Sequence, residues 1–492
     1  MKIAIFMLLI LGLAWAQSFV NEPDGYVLDP PQNFQLEASL LPWVARWQGE
    51  GITVRVFAQP VRDRAAAEEY MGYSNRSIDQ GWNGMVLLAQ EQSDRGWYRE
   101  WRRPAMSFLE QDQSFYAQWD LCLSPELVLT VMVNSLPELA DSARQIARQV
   151  ADSARIIPAR GAHPYQPHQM PARKPPLLPP VGTPLQLGIF MPDLEAYSGN
   201  LWPLHQREAE LGIPVRVILT YHGLGRPFPA RLVQAAWAEG RLAEVTLQSW
   251  APVSDADRHL PYDRGISRLG EILNGNYDPV LRRFAREAKK SGATFFFRFD
   301  NEMNGDWSPW SAFQWGKDTD IYQAAWRHVH RIFREEGAVN AVFIWNPNNQ
   351  DLPPYRWNAA HLYYPGDSYL DWIGLTAYNR GNATPGDTWR SFSDIYDQAY
   401  WLSQTLYPEK PLLVTEFASH DAPGNKPEWI REALREVCRY PAIRYLVWWD
   451  GQEGDYLNYR LDQPPAALTA FRANWTGCAP PGLPAALPPP AR

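Results

Sequence analysis

Two glutamates lie at the ends of short apolar segments, where a carboxyl group is well placed to do chemistry. Glu302 closely follows the aromatic run 294–299, and Glu416 ends the segment Leu412-Leu-Val-Thr-Glu416. Short apolar runs of this kind are typical of buried strands. Cleavage of a glycosidic bond needs two facing carboxyl groups, one to protonate the departing oxygen and one to attack or to activate water. Together with aromatic residues at other strand ends, the pair predicts a glycosidase.

The elements that must position these glutamates alternate along residues 185–475. Eight apolar segments are predicted to be strands, at 185–191, 215–221, 244–250, 294–299, 341–345, 372–376, 411–415 and 443–448. Apolar residues at helical spacing predict helices at 278–290, 321–335, 393–406 and 428–439. Eight strand and helix units over this length predict an α/β fold, the (β/α)₈ TIM barrel. An open doubly wound sheet is the alternative, and it is disfavoured because no Gly-rich phosphate loop follows the first strand.

The active end of such a barrel is the edge at which the carboxyl ends of the strands meet. Polar and aromatic residues at the predicted strand ends are therefore the candidate site residues. Besides the two glutamates they include His222, Trp250, Asn301, Tyr378 and Trp448. Aromatic rings at this edge suit the flat faces of sugars.

Residues 185–475 resemble the catalytic domain of clan A glycosidases, and in particular glycoside hydrolase family 26, the β-mannanase family. The resemblance rests on Arg298 four residues before Glu302, on Met303-Asn-Gly305 and Trp307 after it, and on the segment Asp371-Trp-Ile-Gly-Leu-Thr-Ala-Tyr378-Asn. It implies that Glu302 is the acid/base and Glu416 the nucleophile. It also implies that Tyr378 hydrogen-bonds the nucleophile and that Trp448 forms the floor of a sugar subsite, with Trp449 pointing away because strand side chains alternate.

One residue departs from the family pattern. The family usually has His before the acid/base, whereas this chain has Asn301, which in the wider clan binds the sugar 2-hydroxyl. A β-glucan, a xylan or a bacterial exopolysaccharide therefore joins β-mannan as a candidate substrate. The predicted function is a secreted retaining endo-β-glycosidase, and the alternative is a non-catalytic, secreted glycan-binding protein on a barrel scaffold.

The rest of the chain divides by composition. Residues 1–16 match a secretory signal peptide, with Lys2, an apolar run and Ala14-Trp-Ala16 before Gln17. Residues 17–157 combine several strand-like runs with helical stretches and are predicted to form a small α+β accessory domain. Residues 158–184 are a Pro-rich linker, residues 185–478 the barrel, and residues 479–492 a Pro-rich disordered tail.

The composition of the chain limits the classes of partner that the protein is expected to bind. The net charge of −8 argues against a nucleic-acid partner, and no run after the signal segment is long and apolar enough to span a membrane. We expect an exported monomer, extracellular or periplasmic, with a polysaccharide substrate and neither metal nor cofactor.

The chain has three cysteines. Export permits a disulfide between Cys438 and Cys478, with Cys122 left free, and three unpaired thiols are an alternative of equal weight.

Overall fold

The computed structural model describes residues 18–37, 43–109, 112–161, 184–194, 196–250, 268–383, 386–454 and 457–478. The predicted signal peptide, most of the predicted linker and the C-terminal tail lie outside the described residues. The chain divides into two compact units, one comprising residues 1–73, 86–105 and 111–164, and the other residues 74–85, 106–110 and 165–492. Residues 74–85 and 106–110, which the sequence assigned to the accessory domain, therefore belong to the second unit. Within that unit the amide of Asn83 donates to the carbonyl of Gln314 at 2.7 Å, and the ammonium group of Lys317 donates to Asn75.

The first unit has the predicted combination of strands and helices. Its main sheet is antiparallel and has seven strands, in the spatial order Gln35–Leu36, Val44–Gly49, Ile52–Pro60, Leu127–Ser135, Phe115–Ser124, Gly96–Arg102 and Val86–Ser93. A smaller sheet joins Phe19–Asn21, Tyr26–Leu28 and Arg155–Ile156. The helices are Arg64–Ser74 and Ala140–Ser153. The second of these helices buries Ala147 and Val150 in one core with Val56 and Val131 of the sheet.

The second unit is a closed barrel of eight parallel strands in chain order, as the sequence predicted. The barrel strands, numbered first to eighth, are Gln186–Phe190, Val215–Gly223, Leu242–Gln248, Phe295–Phe299, Ala341–Trp345, Trp372–Asn379, Leu412–Ser419 and Ile443–Trp449. The α-helices of eight residues or more are Trp202–Leu211, Ala230–Ala238, Asp278–Ser291, Asp320–Glu336, Phe392–Leu406, Lys426–Glu436 and Pro465–Asn474. Each predicted strand is present, and the second, sixth, seventh and eighth end later than predicted.

Shorter elements complete the second unit. Two short helices, Arg76–Asp79 and Leu269–Leu273, lie in it. The connection from the fifth to the sixth strand is made by three 3₁₀ helices, Arg356–Asn358, Ala360–Tyr363 and Asp367–Tyr369, in place of an α-helix. After the eighth strand, Gln452–Glu453 pairs with Leu457–Asn458. A disulfide joins Cys438 to Cys478, and Cys122 is a free, partly buried thiol. No helix of the described residues has the length and apolar character needed to cross a bilayer.

Alternate residues of the barrel strands fill the barrel interior. The interior cluster includes Val217 and Leu219 of the second strand, Phe296 of the fourth, Leu413 of the seventh and Val447 of the eighth. Because side chains alternate between the two faces of a strand, these residues fix which later positions face the barrel axis. The interior is thus a packed, largely apolar layer, in which Glu244 of the third strand lies level with Leu219 and Phe296, and Arg298 lies beyond it toward the carboxyl ends of the strands.

Candidate active site

The turn after the fourth strand carries Glu302 on a strained backbone. Asp300 and Glu302 both have positive φ, at 46° and 56°, a conformation that side chains other than glycine seldom adopt. Hydrogen bonds hold the turn in place. The backbone N–H of Glu302 donates to the carbonyl of Asn346 at 2.8 Å, that of Ser249 to the carboxyl group of Asp300 at 2.6 Å, and the indole N–H of Trp310 to the carbonyl of Asn301 at 2.7 Å. Strain that the surroundings maintain in this way is typical of a functional turn.

The surroundings of Glu302 favour the protonated form of its carboxyl group. Burial raises its pKa to about 7, and the negative charge of Glu416 acts in the same direction. The side-chain amide of Asn348, which donates to Oε1 of Glu302 at 2.9 Å, and the guanidinium of Arg298 partly offset this rise. Glu453, from the pairing after the eighth strand, adds a smaller raising effect and was not predicted from the sequence. Glu302 is therefore suited to donate a proton.

Arg298 is completely buried and lies beside Glu416. Its Nη1 is 2.7 Å from Oε1 of Glu416 and donates to Oδ1 of Asn346 at 2.6 Å, while its Nε donates to Thr246 Oγ1 at 2.8 Å. Burial opposes the charge on Arg298, but the nearby acidic side chains of Glu416 and Glu244 raise its pKa above the usual value. Arg298 and Glu416 thus form a buried ion pair.

An irregularity in the seventh strand directs Glu416 to the barrel axis. Leu413 lies in the interior, and Thr415 contacts Thr376 of the sixth strand through their hydroxyl groups at 2.9 Å. Glu416 follows Thr415, and regular alternation would turn its side chain toward the helices. The pairing of the sixth and seventh strands, however, shifts register between Leu375 and Thr376, so that Thr376 pairs with Glu416. Such a bulge re-aims a side chain. Glu416 therefore faces inward, where the phenol of Tyr378 donates to its Oε2, as the sequence predicted.

In the second strand Tyr221, and not His222, faces the two glutamates. The guanidinium carbon of Arg298 lies 5.4 Å from the centre of the Tyr221 ring. His222 is buried between the hydroxyl groups of Tyr197 and Thr220, at 2.6 and 3.2 Å. Burial lowers the pKa of His222 to about 4, so it is neutral near pH 7. The prediction of His222 as a site residue is corrected to Tyr221, because Val217 and Leu219 set the inward phase of this strand.

The same alternation corrects the prediction for the eighth strand. Trp448 is 1% exposed, its indole N–H donates to the carbonyl of Tyr459, and its ring packs edge-on against Phe417 and Phe471. Trp449 instead belongs to the set that faces the barrel axis. Its ring stacks on Phe190 at 4.9 Å and meets Tyr378 edge-on at 6.2 Å. Trp449 is therefore the tryptophan of the eighth strand that faces the interior beside Tyr378, and Trp448 belongs to the layer between barrel and helices.

Asn301 and Trp250 are connected through a residue that was not predicted. The indole N–H of Trp250 donates to Oε1 of Gln248 at 3.3 Å, and Nε2 of Gln248 donates to Oδ1 of Asn301 at 3.0 Å. Because the side-chain oxygen of Asn301 accepts this hydrogen bond, the side-chain amide nitrogen of Asn301 can donate to a bound molecule. Gln248 is the last residue of the third strand and lies at the predicted edge of the barrel.

Trp307 lies beside the acid turn with 37% of its surface exposed. Its indole ring lies directly against Gly305, where a Cβ atom would come within 2.5 Å of the ring. Any larger residue at 305 would displace the tryptophan. Gly305 thus allows an exposed aromatic face on the turn that carries Glu302.

These features define a class: a (β/α)₈-barrel protein with a buried pair of carboxyl groups at the carboxyl ends of its strands. Within the ranges that the structure describes, no group of three or more His, Cys, Asp or Glu side chains is arranged to hold a metal ion. Residues 248–453 match the family model of glycosyl hydrolase family 26, so the predicted resemblance to that family is confirmed over this segment. The matched segment includes both glutamates, Arg298 and Trp449, but not Tyr221.

Two relatives each match part of the chain. Endoglucanase H of Acetivibrio thermocellus is 33% identical over 206 residues, which are 41% of this chain and 22% of the relative. A mannan endo-1,4-beta-mannosidase of Bacillus subtilis is 27% identical over 259 residues, which are 49% of this chain and 63% of the relative. This chain therefore spans less than two thirds of the length of either. Among solved structures, the catalytic domain of an endo-beta-1,4-mannanase from Bacillus sp. JAMB-750 superposes with a TM-score of 0.46 at 17% identity, covering 60% of this chain and 87% of that one.

Proposed function

We propose that this protein is a retaining endo-β-glycosidase that cleaves a polysaccharide, with Glu302 as the acid/base and Glu416 as the nucleophile. The observation that carries the proposal is the contrast between the two carboxyl environments. Glu416 is paired with Arg298 at 2.7 Å, whereas burial raises the pKa of Glu302 to about 7. Adjacent carboxyl groups whose environments differ in this way can act as base and acid at the same pH.

In the first half of the reaction, the carboxylate of Glu416 attacks the anomeric carbon of the bound sugar. Glu302 gives its proton to the departing glycosidic oxygen, so the bond between that oxygen and the anomeric carbon breaks and a glycosyl ester forms on Glu416. Arg298 and Tyr378 contact Oε1 and Oε2 of Glu416, respectively, and so fix the plane of the attacking carboxylate. This orientation lowers the entropic part of the barrier.

In the second half, Glu302 acts as the base. Its carboxylate removes a proton from water, the resulting hydroxide attacks the anomeric carbon, and Glu416 leaves as a carboxylate. Two inversions at the same carbon retain the β configuration. Asn301 has a free amide donor for the sugar 2-hydroxyl, and the rings of Trp449 and Trp307 provide faces on which sugar units stack.

The proposed substrates are β-glucan and β-mannan, followed by xylan and bacterial exopolysaccharides. Two relatives carry the names endoglucanase and mannan endo-1,4-beta-mannosidase, so β-glucan and β-mannan are the leading candidates. Asn301 replaces the His that is usual in the mannanase family, so strict mannan specificity is not expected. The 2-hydroxyl is axial in mannose and equatorial in glucose, and Asn301 is the residue proposed to sense this difference.

We also infer that the protein is exported. The N-terminal segment has the charged, apolar and small-residue parts of a signal peptide. The disulfide between Cys438 and Cys478 agrees with an oxidising compartment. Mass spectrometry of the protein from the producing cells tests this inference, because cleavage before Gln17 gives a new N-terminus, whereas a retained Met1 or Lys2 would contradict it.

The test of the proposed function is reducing-end release from a panel of β-glucan, β-mannan and xylan. Glu302→Gln and Glu416→Gln should each lower release at least about a hundredfold. The exposed Glu409 provides a matched control, and Glu409→Gln should retain full activity. A dinitrophenyl glycoside separates the two roles. Its leaving group needs no proton, so Glu302→Gln should still form the glycosyl-enzyme in a rapid burst, whereas Glu416→Gln should not.

Three further outcomes would decide against the proposal. NMR of the first product formed should detect the β anomer, and an α product would contradict a retaining mechanism. Full activity of either glutamine variant would contradict the assigned roles. If the native protein binds the glycans but releases no reducing ends, the alternative of a non-catalytic glycan-binding protein replaces this proposal.

A further inference from the structure

The side-chain amide of Asn348 contacts only one of the two oxygens of Glu302. Its Nδ2 donates to Oε1 at 2.9 Å. The orientation of this amide is set by its other end, because Oδ1 of Asn348 accepts the backbone N–H of Gln350 at 3.1 Å. The nitrogen must therefore face Glu302. An oxygen that accepts an amide N–H is a poor site for a proton, so the proton of the neutral carboxyl group favours Oε2.

Asn304, two residues after Glu302, holds Asn348 in position. Oδ1 of Asn304 accepts the backbone N–H of Asn348 at 2.8 Å, and its Nδ2 donates to the carbonyl of Asn348 at 3.1 Å. The same nitrogen donates to the carbonyl of Gln350 at 3.1 Å and to the carboxyl group of Asp351 at 2.9 Å. Asn304 is completely buried. The side chain of Asn304 thus accepts from the backbone N–H of Asn348 and donates to its backbone carbonyl, and so holds the residue whose side-chain amide contacts Glu302.

Asparagine is the residue that suits position 304. Its side chain combines a hydrogen-bond acceptor with a two-hydrogen donor, and all the contacts above use one or the other. An aspartate would lose the donor and would bring a second carboxylate against Asp351. A buried network of this kind keeps one geometry because every polar atom that loses its partner is costly.

We propose that Asn348, held by Asn304, is a positioning residue that directs the proton of Glu302 to Oε2. This inference rests on the proposed function of Glu302. With Oε1 occupied by the amide, Oε2 delivers the proton to the departing oxygen in the first half of the reaction. In the second half Oε2 receives the proton from water. One oxygen serves both steps, so the sugar need not move relative to the acid/base between them.

The test is the pH profile of kcat/KM for Asn348→Ala and Asn304→Ala. The basic limb of the native profile is expected near pH 7, where Glu302 loses its proton. Asn348 lowers the pKa of Glu302, so removing its amide should move this limb upward by about one pH unit. The plateau should fall about tenfold or more, because the proton is no longer confined to Oε2. Asn304→Ala should shift the limb in the same direction.

The other groups that act on Glu302 remain in place in these variants. They are the carboxylates of Glu416 and Glu453, the guanidinium of Arg298 and the phenols of Tyr378 and Tyr396. Asn349→Ala is the matched control, because Asn349 is the adjacent asparagine and its amide donates to the carbonyl of Ile395 at 2.8 Å. This control should leave the basic limb unchanged.

A purely structural role predicts something different. It would lower the melting temperature and scale the whole profile down without moving its basic limb. An unmoved limb in folded Asn348→Ala therefore overturns the proposal. If Asn304→Ala does not fold, Asn348→Ala and Asn348→Asp still decide the question, since the aspartate should raise the limb further. Failure of the underlying function gives a separate signal, because Glu302→Gln would then remain active.

Discussion

Glu244 is a buried carboxyl group of the barrel interior whose removal should change how stability depends on pH. It is completely buried on the third strand, 3.5 Å from Nε of Arg298, and neither of its oxygens receives a hydrogen bond from the described residues. Arg298 is also paired with Glu416 at 2.7 Å. One guanidinium therefore faces two carboxyl groups, and burial raises the pKa of Glu244 to about 8, partly offset by Arg298 and reinforced by Glu416.

The sign and size of the effect follow from this pKa. Glu244 keeps its proton in the folded protein up to about pH 8, whereas the unfolded chain releases it around the ordinary value of 4.5. The folded state holds the extra proton between these values, so stability falls as the pH rises through this window. The loss is about 1.4 kcal/mol per pH unit, or about 3 kcal/mol from pH 5.5 to 7.5.

Glu244→Gln removes this titration and nearly preserves the shape of the side chain. Between pH 5.5 and 7.5, the melting temperature of the native protein should fall by about 6 °C more than that of the variant. This figure takes about 2 °C per kcal/mol for a large domain. Differential scanning calorimetry at the two pH values measures the difference. Glu409→Gln, at an exposed position of the same unit, is the control. Parallel pH dependence in the native protein and in Glu244→Gln would refute the argument.

The orientation of the two tryptophans of the eighth strand leads to opposite phenotypes. Trp449→Ala should lower kcat/KM on an oligosaccharide about tenfold with little loss of stability, because it removes a stacking face next to Glu416. Trp448→Ala should instead cost about 3–5 kcal/mol of stability and leave the kinetics of the folded fraction nearly unchanged, since Trp448 is 1% exposed in the outer layer. The reverse pattern, measured by kinetics and urea unfolding, would restore the prediction made from the sequence. Cys478→Ser should lower stability by about 2–4 kcal/mol, because the disulfide to Cys438 closes a segment of 40 residues. In reductant, the native protein should then have the same melting temperature as Cys478→Ser. Without reductant, Cys122→Ser should have the melting temperature of the native protein.

Several parts of the site were predictable because they depend on local spacing alone. Arg298 and Glu302 lie on one strand and the turn after it, so their separation along the chain brings both to the same end of the barrel. Tyr378 and Glu416 each end an apolar run, and strand ends meet at one edge in a parallel barrel. The eight strands were predicted for the same reason, since each is a short apolar segment between polar ones.

The errors have a common physical origin. In Tyr221-His222 and in Trp448-Trp449, both neighbours suit either face of the strand, and composition does not reveal which one faces inward. That phase is set by the packing of Val217, Leu219 and Val447 against other strands when the barrel closes. The inward position of Glu416 depends in addition on the register shift opposite Leu375, which involves two strands far apart in the chain.

The sequence by itself determined the kinds of element, their order and the two glutamates, because these follow from hydrophobic pattern and from residues near one another in the chain. Only the tertiary structure decided which neighbours of those glutamates contact them. Glu244, Gln248 and Asn348 come from strands and loops distant in sequence, and they meet Arg298, Asn301 and Glu302 only after the sheet has closed. The protonation of Glu302 is likewise a tertiary property, because it arises from burial and from the charge of a residue on another strand.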